Sequence, residues 1–161
     1  MLKTIVCCFG VLFSAIHFNS LASPLGEGAF DTISIKADEA FEDILPDILH
    51  LHGHFSMHSD QWQLASERAT VYGQPDKPNK IILEGSPATF QIKQSETGPV
   101  EASAPRMAYE RDTDTLELSG GAILKLEKET IRGTVIKFDI SSNGYHAGGA
   151  GGVRIVVPAS N

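Results

Sequence analysis

Apolar residues recur at every second position along most of this chain, in short runs that glycine, proline and other turn-forming residues separate. Leu116 and Leu118 show the pattern in one run, and Ile136, Phe138 and Ile140 show it in another. Successive side chains of a β-strand point to opposite faces, whereas an amphipathic helix repeats its apolar residues about every 3.6 positions. Because helical spacing is almost absent, the alternation predicts an all-β protein whose strands each present one apolar face.

One five-residue pattern, in which two apolar residues alternate with variable ones and a glycine follows, occurs three times. It ends at Gly53, Gly85 and Gly120, which are 32 and 35 residues apart. A glycine that recurs at the same point of each unit indicates a bend or bulge where the strand changes direction. Antiparallel units that each expose an apolar face must stack or fold over one another to bury it. We therefore expect a single antiparallel sheet, bent into a β-jelly roll or a folded-over open trough.

Two segments do not follow the alternation. Residues 39–47 are acidic and contain Pro46, which suits a short helix or an irregular crossover. Residues 144–152 are so rich in glycine that they predict strands only weakly. This glycine run lacks the Lys-Ser/Thr of a phosphate-binding loop and no helical pattern follows it, so we predict no nucleotide site there.

The first 22 residues have the features of a secretory signal peptide. Lys3 supplies the positive start, residues 5–18 are largely apolar, and Ser20-Leu21-Ala22 presents small residues for cleavage. We expect cleavage after Ala22, which leaves residues 23–161 as one domain without cysteine, since Cys7 and Cys8 lie in the leader. The alternative is an uncleaved membrane anchor.

The charge balance disfavours nucleic acid as a partner. The formal net charge of −7 becomes −8 when the leader removes Lys3, and lysine and arginine do not cluster. Attraction to an anionic lipid would therefore have to be short-range and hydrophobic. No nucleophile motif stands out, and Asp112 and Asp114 lie in what the pattern predicts to be a hairpin turn. We accordingly predict a binding protein without a cofactor rather than an enzyme.

A histidine-rich strand offers the main alternative chemistry. His50, His52 and His54 alternate, so a regular strand would project all three from one face at a spacing that suits zinc or copper. Gly53 interrupts the strand, however, and no second ligand cluster is evident beyond His58 and His146. We expect a solvated polar face and no metal, with these three histidines as the residues that would hold one.

Several short motifs occur in the order and spacing of a known family. They are Ile33-Ser34-Ile35-Lys36-Ala37-Asp38, Gly85-Ser86-Pro87-Ala88-Thr89-Phe90, Pro99-Val100-Glu101-Ala102, Met107-Ala108-Tyr109, Leu118-Ser119-Gly120-Gly121-Ala122, Ile131-Arg132-Gly133 and Ile136-Lys137-Phe138-Asp139. Across most of residues 31–158 the sequence resembles the LptA/OstA family of periplasmic lipopolysaccharide transport proteins. The histidine-rich strand and the run Gly148 to Gly152 depart from the family pattern.

The resemblance implies an antiparallel β-jelly roll, open along one seam, whose interior takes up the acyl chains of lipid A. It also implies head-to-tail stacking of such units and, as partners, an LptC-like inner-membrane protein and an LptD-like outer-membrane translocon. Together these would form a bridge that carries lipopolysaccharide across the periplasm. An LptC-like anchored protein and a purely structural or metal-binding periplasmic β module are the alternatives.

Residues on the apolar faces would line the acyl-chain groove. They are Ile33, Ile35, Phe55, Phe90, Ile92, Met107, Tyr109, Leu118, Leu124 and Phe138. The resemblance carries over Ile33, Ile35, Phe90 and Tyr109 as lipid-facing positions, with the hydroxyl of Tyr109 expected at a wet rim. The alternative is that these are ordinary core residues of a sandwich.

The last strand is predicted to be a free edge. Val153, Ile155 and Val157 alternate in a weakly charged, β-branched segment that Pro158 ends, and such an unprotected edge suits strand addition by a partner. The alternative is an interior strand.

Overall fold

The computed structural model describes residues 33–45, 47–93 and 98–159. These ranges contain ten strands, which are β1 (Ser34–Lys36), β2 (Glu39–Glu42), β3 (Ile48–His58), β4 (Trp62–Gln74), β5 (Lys77–Ile92), β6 (Val100–Glu110), β7 (Thr115–Leu126), β8 (Glu129–Asp139), β9 (Gly144–Gly148) and β10 (Arg154–Val156). Within them there is no helix, and so none long and apolar enough to cross a membrane. The predicted signal peptide, residues 1–22, lies outside the described residues and stays a prediction.

All ten strands belong to one antiparallel sheet. The long strands β3 to β8 follow one another as neighbours, so each pairs with the next through a short connection. At one edge β3 pairs with both β1 and β2, and at the other β8 pairs with both β9 and β10. The sheet does not close on itself, which confirms the predicted all-β, antiparallel, open architecture.

A line of irregular pairing runs across the middle of the sheet. Every pair of long strands from β3 to β8 shifts register near its centre. The repeated glycines Gly53, Gly85 and Gly120 all lie on this line, within β3, β5 and β7 respectively. Gly53 and Gly120 have φ of 72° and 90°, a conformation that L residues with a side chain adopt only at a cost. The prediction of a bend or bulge at these glycines is confirmed.

The sheet buries most of one face. Inward-facing residues on both sides of the line of irregular pairing form a single cluster, and the largest of its fully buried side chains include Trp62, Phe55 and Phe90. Because these residues form one cluster although they come from both halves, the two halves fold towards each other. The halves on either side of the bend are therefore the two walls of one apolar interior.

The outward face carries charges that are paired across strands. Arg68 lies opposite Glu84, which in turn lies opposite Arg106 on the next strand. Lys80 and Glu110 form an ion pair, and Glu101 accepts a hydrogen bond of 2.9 Å from Lys125. Exposed pairs of this kind contribute little each, but they fit a regular register.

Two local predictions were wrong. Residues 39–42 form the edge strand β2 rather than a helix or an irregular crossover. The last strand covers only Arg154–Val156, because Gly152 precedes it with a φ of 71° and Pro158 follows without an N–H to donate.

Candidate lipid-binding interior and sheet edges

The predicted lining residues meet in the interior of the folded sheet. Phe55, Phe90, Ile92, Met107, Tyr109, Leu118, Leu124 and Phe138 are at most 3% exposed and belong to the same apolar cluster. They come from five strands and from both halves of the sheet. Ile33 and Ile35 are half-buried and pack against the cluster beside and within β1. That acyl chains contact these ten residues stays a prediction.

The interior is apolar along its length and polar only at turns. Among the described residues the buried polar side chains are Ser59, Asp114 and Thr115, which lie at the turns between β3 and β4 and between β6 and β7. No charged side chain is buried between the two halves in the described part of the chain other than Asp114 at its turn. The space between the halves therefore resembles hydrocarbon rather than water.

The sheet edges are the places where this apolar face reaches solvent. On β10, Ile155 lies opposite the fully buried Ile131 and is itself 49% exposed. At the other edge, Ile35 lies opposite the buried Met57 and is only partly covered. Ile35 and Ile155 continue the inner face to the two edges of the sheet, where its apolar side chains are partly exposed to solvent.

Tyr109 does not reach a wet rim, so that part of the prediction is wrong. The side chain is 2% exposed, and its hydroxyl donates a hydrogen bond of 3.2 Å to Oδ1 of Asp114. Asp114 reaches this position because its backbone has a φ of 45° in the turn after β6. Burial first, and then the nearby Asp114 carboxylate, raises the pKa of Tyr109. The hydroxyl is therefore a buried hydrogen-bond donor that links β6 to the turn at one end of the interior.

The three histidines do not form a common ligand set. The register shift between His52 and Phe55 breaks the alternation, and His54 has a φ of 45°. His50 and His52 flank the Phe41 ring, each with a centroid distance of 5.1 Å. Over the described ranges, no group of three or more histidine, cysteine or carboxylate side chains is placed to hold a metal ion.

Two of these histidines instead contact the carboxylates that flank β2. His50 Nε2 lies 3.0 Å from Oδ2 of Asp43, and this hydrogen bond is the main cause that lowers the pKa of Asp43. His54 Nδ1 lies 2.7 Å from Oδ2 of Asp38, and this hydrogen bond is the main cause that raises the pKa of His54. These side-chain contacts from the histidine-rich segment therefore help to hold the residues around β2 against β3.

The predicted strand-addition segment lies at an edge of the sheet. β10 pairs only with β8 among the described strands, which excludes the interior-strand alternative for this part of the chain. Ile155 lies in the strand, whereas Val153 and Val157 flank it, and all three are between 43% and 65% exposed. The opposite edge also exposes large apolar side chains, at Phe41, Ile44 and Leu45. Whether a partner strand adds to either edge stays a prediction.

Comparison with known proteins identifies similar chains. A family model described as LptA/(LptD N-terminal domain) LPS transport protein matches residues 34–144. The lipopolysaccharide export system protein LptA of Escherichia coli K12 is 25% identical over 125 residues, which cover 76% of this chain and 68% of that protein. The LptA of Shigella flexneri has the same identity and coverage.

A solved structure shares the fold. It is LptH of Pseudomonas aeruginosa, described as the LptA-homologous periplasmic component of the lipopolysaccharide transport device. The two chains are 20% identical and superpose with a TM-score of 0.70 over 80% of this chain and 96% of LptH. The folded-over open sheet is thus an architecture already known in a periplasmic protein.

Proposed function

Because this chain belongs to the LptA/LptD N-terminal domain family of lipopolysaccharide transport proteins, we propose that it is a periplasmic carrier that shelters lipid A acyl chains between the two halves of its sheet. The observation that carries the proposal is an interior that is apolar on both walls, in an open sheet whose edges expose part of the same apolar face. A carrier needs a dry interior for the chains and an open edge through which the polar headgroup stays in water.

The energetics require no charged partner for the acyl chains. Burying one methylene group stabilises the bound lipid by roughly 0.8 kcal/mol, so about ten methylenes contribute roughly 8 kcal/mol. Acyl chains that enter would replace the contacts between the two walls with contacts of the same apolar kind. This replacement limits the free-energy cost of separating the walls. Entry at Ile35 or Ile155 requires the least opening, since these residues are already partly exposed.

The edges also support a bridge built from stacked copies. β1 runs antiparallel to β3. Five successive antiparallel pairings lead from β3 to β8, and a sixth leads from β8 to β10. Since each pairing reverses the direction, β10 runs parallel to β3 and antiparallel to β1. β10 of one copy would therefore meet β1 of the next as an antiparallel neighbour, and the sheet would continue. The same geometry would accept LptC-like and LptD-like partners at the two ends of the stack.

Photo-cross-linking in living cells tests whether lipid occupies the interior. A benzophenone side chain replaces Phe90 or Ile35, which point inward, and as matched controls it replaces their outward-facing neighbours Gln91 or Lys36. We expect lipopolysaccharide adducts at positions 90 and 35 and none at 91 and 36. Folded, exported protein without an adduct at either inward position would contradict the carrier function and favour a structural module without ligand.

The mass of the exported protein separates the carrier from an LptC-like anchored protein. A mass that corresponds to residues 23–161 indicates cleavage after Ala22 and a free periplasmic carrier. A mass that still includes residues 1–22 would indicate an anchored partner of the same bridge.

A further inference from the structure

One pair of charged residues breaks the pattern of the outward face. Across the long strands, charged residues directly opposite one another have opposite signs, as at Lys80 and Glu110 or at Glu117 and Lys137. At the last edge, however, Arg154 lies directly opposite Arg132. Neither arginine forms an ion pair with a described residue, in a chain whose formal net charge is −7. Like charges directly opposite destabilise a strand pair, so an anion bound between the two arginines would relieve their repulsion.

The two arginines line a concavity at the end of the bend. It has a volume of about 340 Å³, and its other lining residues are Gly121, Gly133, Thr134, Gly151, Gly152 and Val153. β9 pairs with β8 from residue 135 onwards and β10 pairs with residues 130–132, so neither strand covers Gly133 and Thr134. The connection between β9 and β10 arches over this gap, close enough that a side chain on Gly149 would collide with Thr134.

We propose that this concavity is an anion site in which Arg132 and Arg154 together bind a phosphate monoester. Two guanidinium groups on one face can each donate paired hydrogen bonds to phosphate oxygens, and the Thr134 hydroxyl lies at the same concavity as a further donor. The glycines allow an anion to approach the backbone because no side chains fill the space. A phosphate dianion would neutralise both arginines and remove their repulsion.

The place of the site suits the headgroup of an amphiphile. Arg154 faces outward on β10, while its neighbour Ile155 faces inward opposite Ile131. A phosphorylated lipid could therefore place its phosphate on the outer face and pass its acyl chains around the edge into the interior. This inference deepens the proposed function and rests on it only for the lipid source of the phosphate, since a free phosphate ion has the same chemistry.

Binding of inorganic phosphate tests the site itself. In a titration followed by amide NMR, with chloride at equal ionic strength as reference, we expect saturable shifts at residues 133–134 and 151–154. The Arg132→Gln/Arg154→Gln variant should weaken this binding by about tenfold or more, because charge-assisted hydrogen bonds are lost. Arg68→Gln is the matched control, since Arg68 is already paired with Glu84 and should leave phosphate binding unchanged. Equal affinity of wild type and the double variant would overturn the site.

Reversing the charge of Arg154 gives a second test, in which the thermal midpoint is measured with and without phosphate. A purely structural role of the arginine would not produce the expected result. Arg154→Glu should raise the thermal midpoint in phosphate-free buffer, because it places a carboxylate opposite Arg132 as elsewhere on this face. Phosphate should then raise the midpoint of the wild type but not of the variant. A lower midpoint for Arg154→Glu together with an unchanged response to phosphate would contradict the proposal.

Two forms of lipid A identify the source of the phosphate. The affinity of the double variant for phosphorylated lipid A should be about tenfold or more lower than that of the wild type. Both proteins should bind dephosphorylated lipid A equally. This result assigns the site to the lipid headgroup. Weaker binding of inorganic phosphate with no change for either lipid assigns it to a free anion. Adducts at Phe90 without any effect of the arginine variants would leave the carrier function standing and remove only the anion site.

Discussion

At the scale of single residues, Gly53 shows how the bend depends on the absence of a side chain. Its φ is 72°, and a Cβ built there would lie 2.8 Å from Cβ of Asp38. We expect Gly53→Ala to lower the free energy of unfolding by about 2 kcal/mol, because a left-handed backbone and a close contact both oppose the methyl group. Denaturant unfolding of the purified protein measures the change.

Gly148 provides the control for this substitution. It lies in β9, a Cβ built there meets nothing within 4 Å, and its φ is outside the left-handed region. Gly148→Ala should therefore change the free energy of unfolding by no more than about 0.5 kcal/mol. Equal losses in the two variants would show that the bend at Gly53 does not require glycine.

His54 gives a prediction about pH at the same scale. Its hydrogen bond to Asp38 favours the protonated ring and raises its pKa above 6.5. The contribution of this hydrogen bond to stability is therefore fully present below the pKa of His54 in the unfolded chain. It is lost as the pH rises through the raised pKa of His54 in the folded protein. In an NMR titration of the imidazole, Asp38→Asn should return the pKa of His54 towards its ordinary value, whereas Asp60→Asn, at an exposed carboxylate elsewhere, should not. A pKa that Asp38→Asn leaves unchanged would contradict the role of this contact.

At the scale of elements, the sequence predicts the strands that have one buried face. In β5 and β7 the alternation of apolar residues is local, so it can be read without knowing the partner strands. β2 has no such signal because all four of its residues are exposed, and its position depends on Phe41 contacting His50 and His52 across the strand pair. Contacts of this kind are set by the register between strands, which a single sequence does not contain.

The residues of the candidate sites also differ in whether the sequence alone predicts their placement. Alternation identifies Phe90 and Leu118 as inward-facing, but it does not distinguish a packed interior from an open groove. The hydrogen bond of Tyr109 depends on the left-handed backbone of Asp114, so the burial of its hydroxyl was not predictable from the alternation. Arg132 and Arg154 become neighbours only through the register of β8 and β10. The glycine run before Arg154 lacks the features of a phosphate-binding loop, so no pattern in the sequence indicated this site.

At the scale of the whole molecule, the two edges of the sheet are built alike. Each consists of two short strands, one on either side of the bend, with β1 and β10 on the same half and β2 and β9 on the other. A contact between different edges of identical copies is heterologous, so it does not make a two-fold dimer and can continue as an open stack. The bridge proposed above would use this kind of assembly.

Ile155 is the residue at which this stacking can be tested. It faces inward on the edge strand β10 and is 49% exposed in the single chain, but a strand added by a second copy would cover it. Ile155→Lys should leave the single chain folded and prevent association, because an inward-pointing charge on an edge strand opposes further pairing. In sedimentation experiments over a range of concentrations, the average mass of the wild type should rise while that of Ile155→Lys stays at one chain. Val135→Lys, at an exposed valine on β8 between two paired strands, should associate like the wild type. A wild type that remains a single chain throughout, or an Ile155→Lys variant that associates equally well, would exclude stacking through β10.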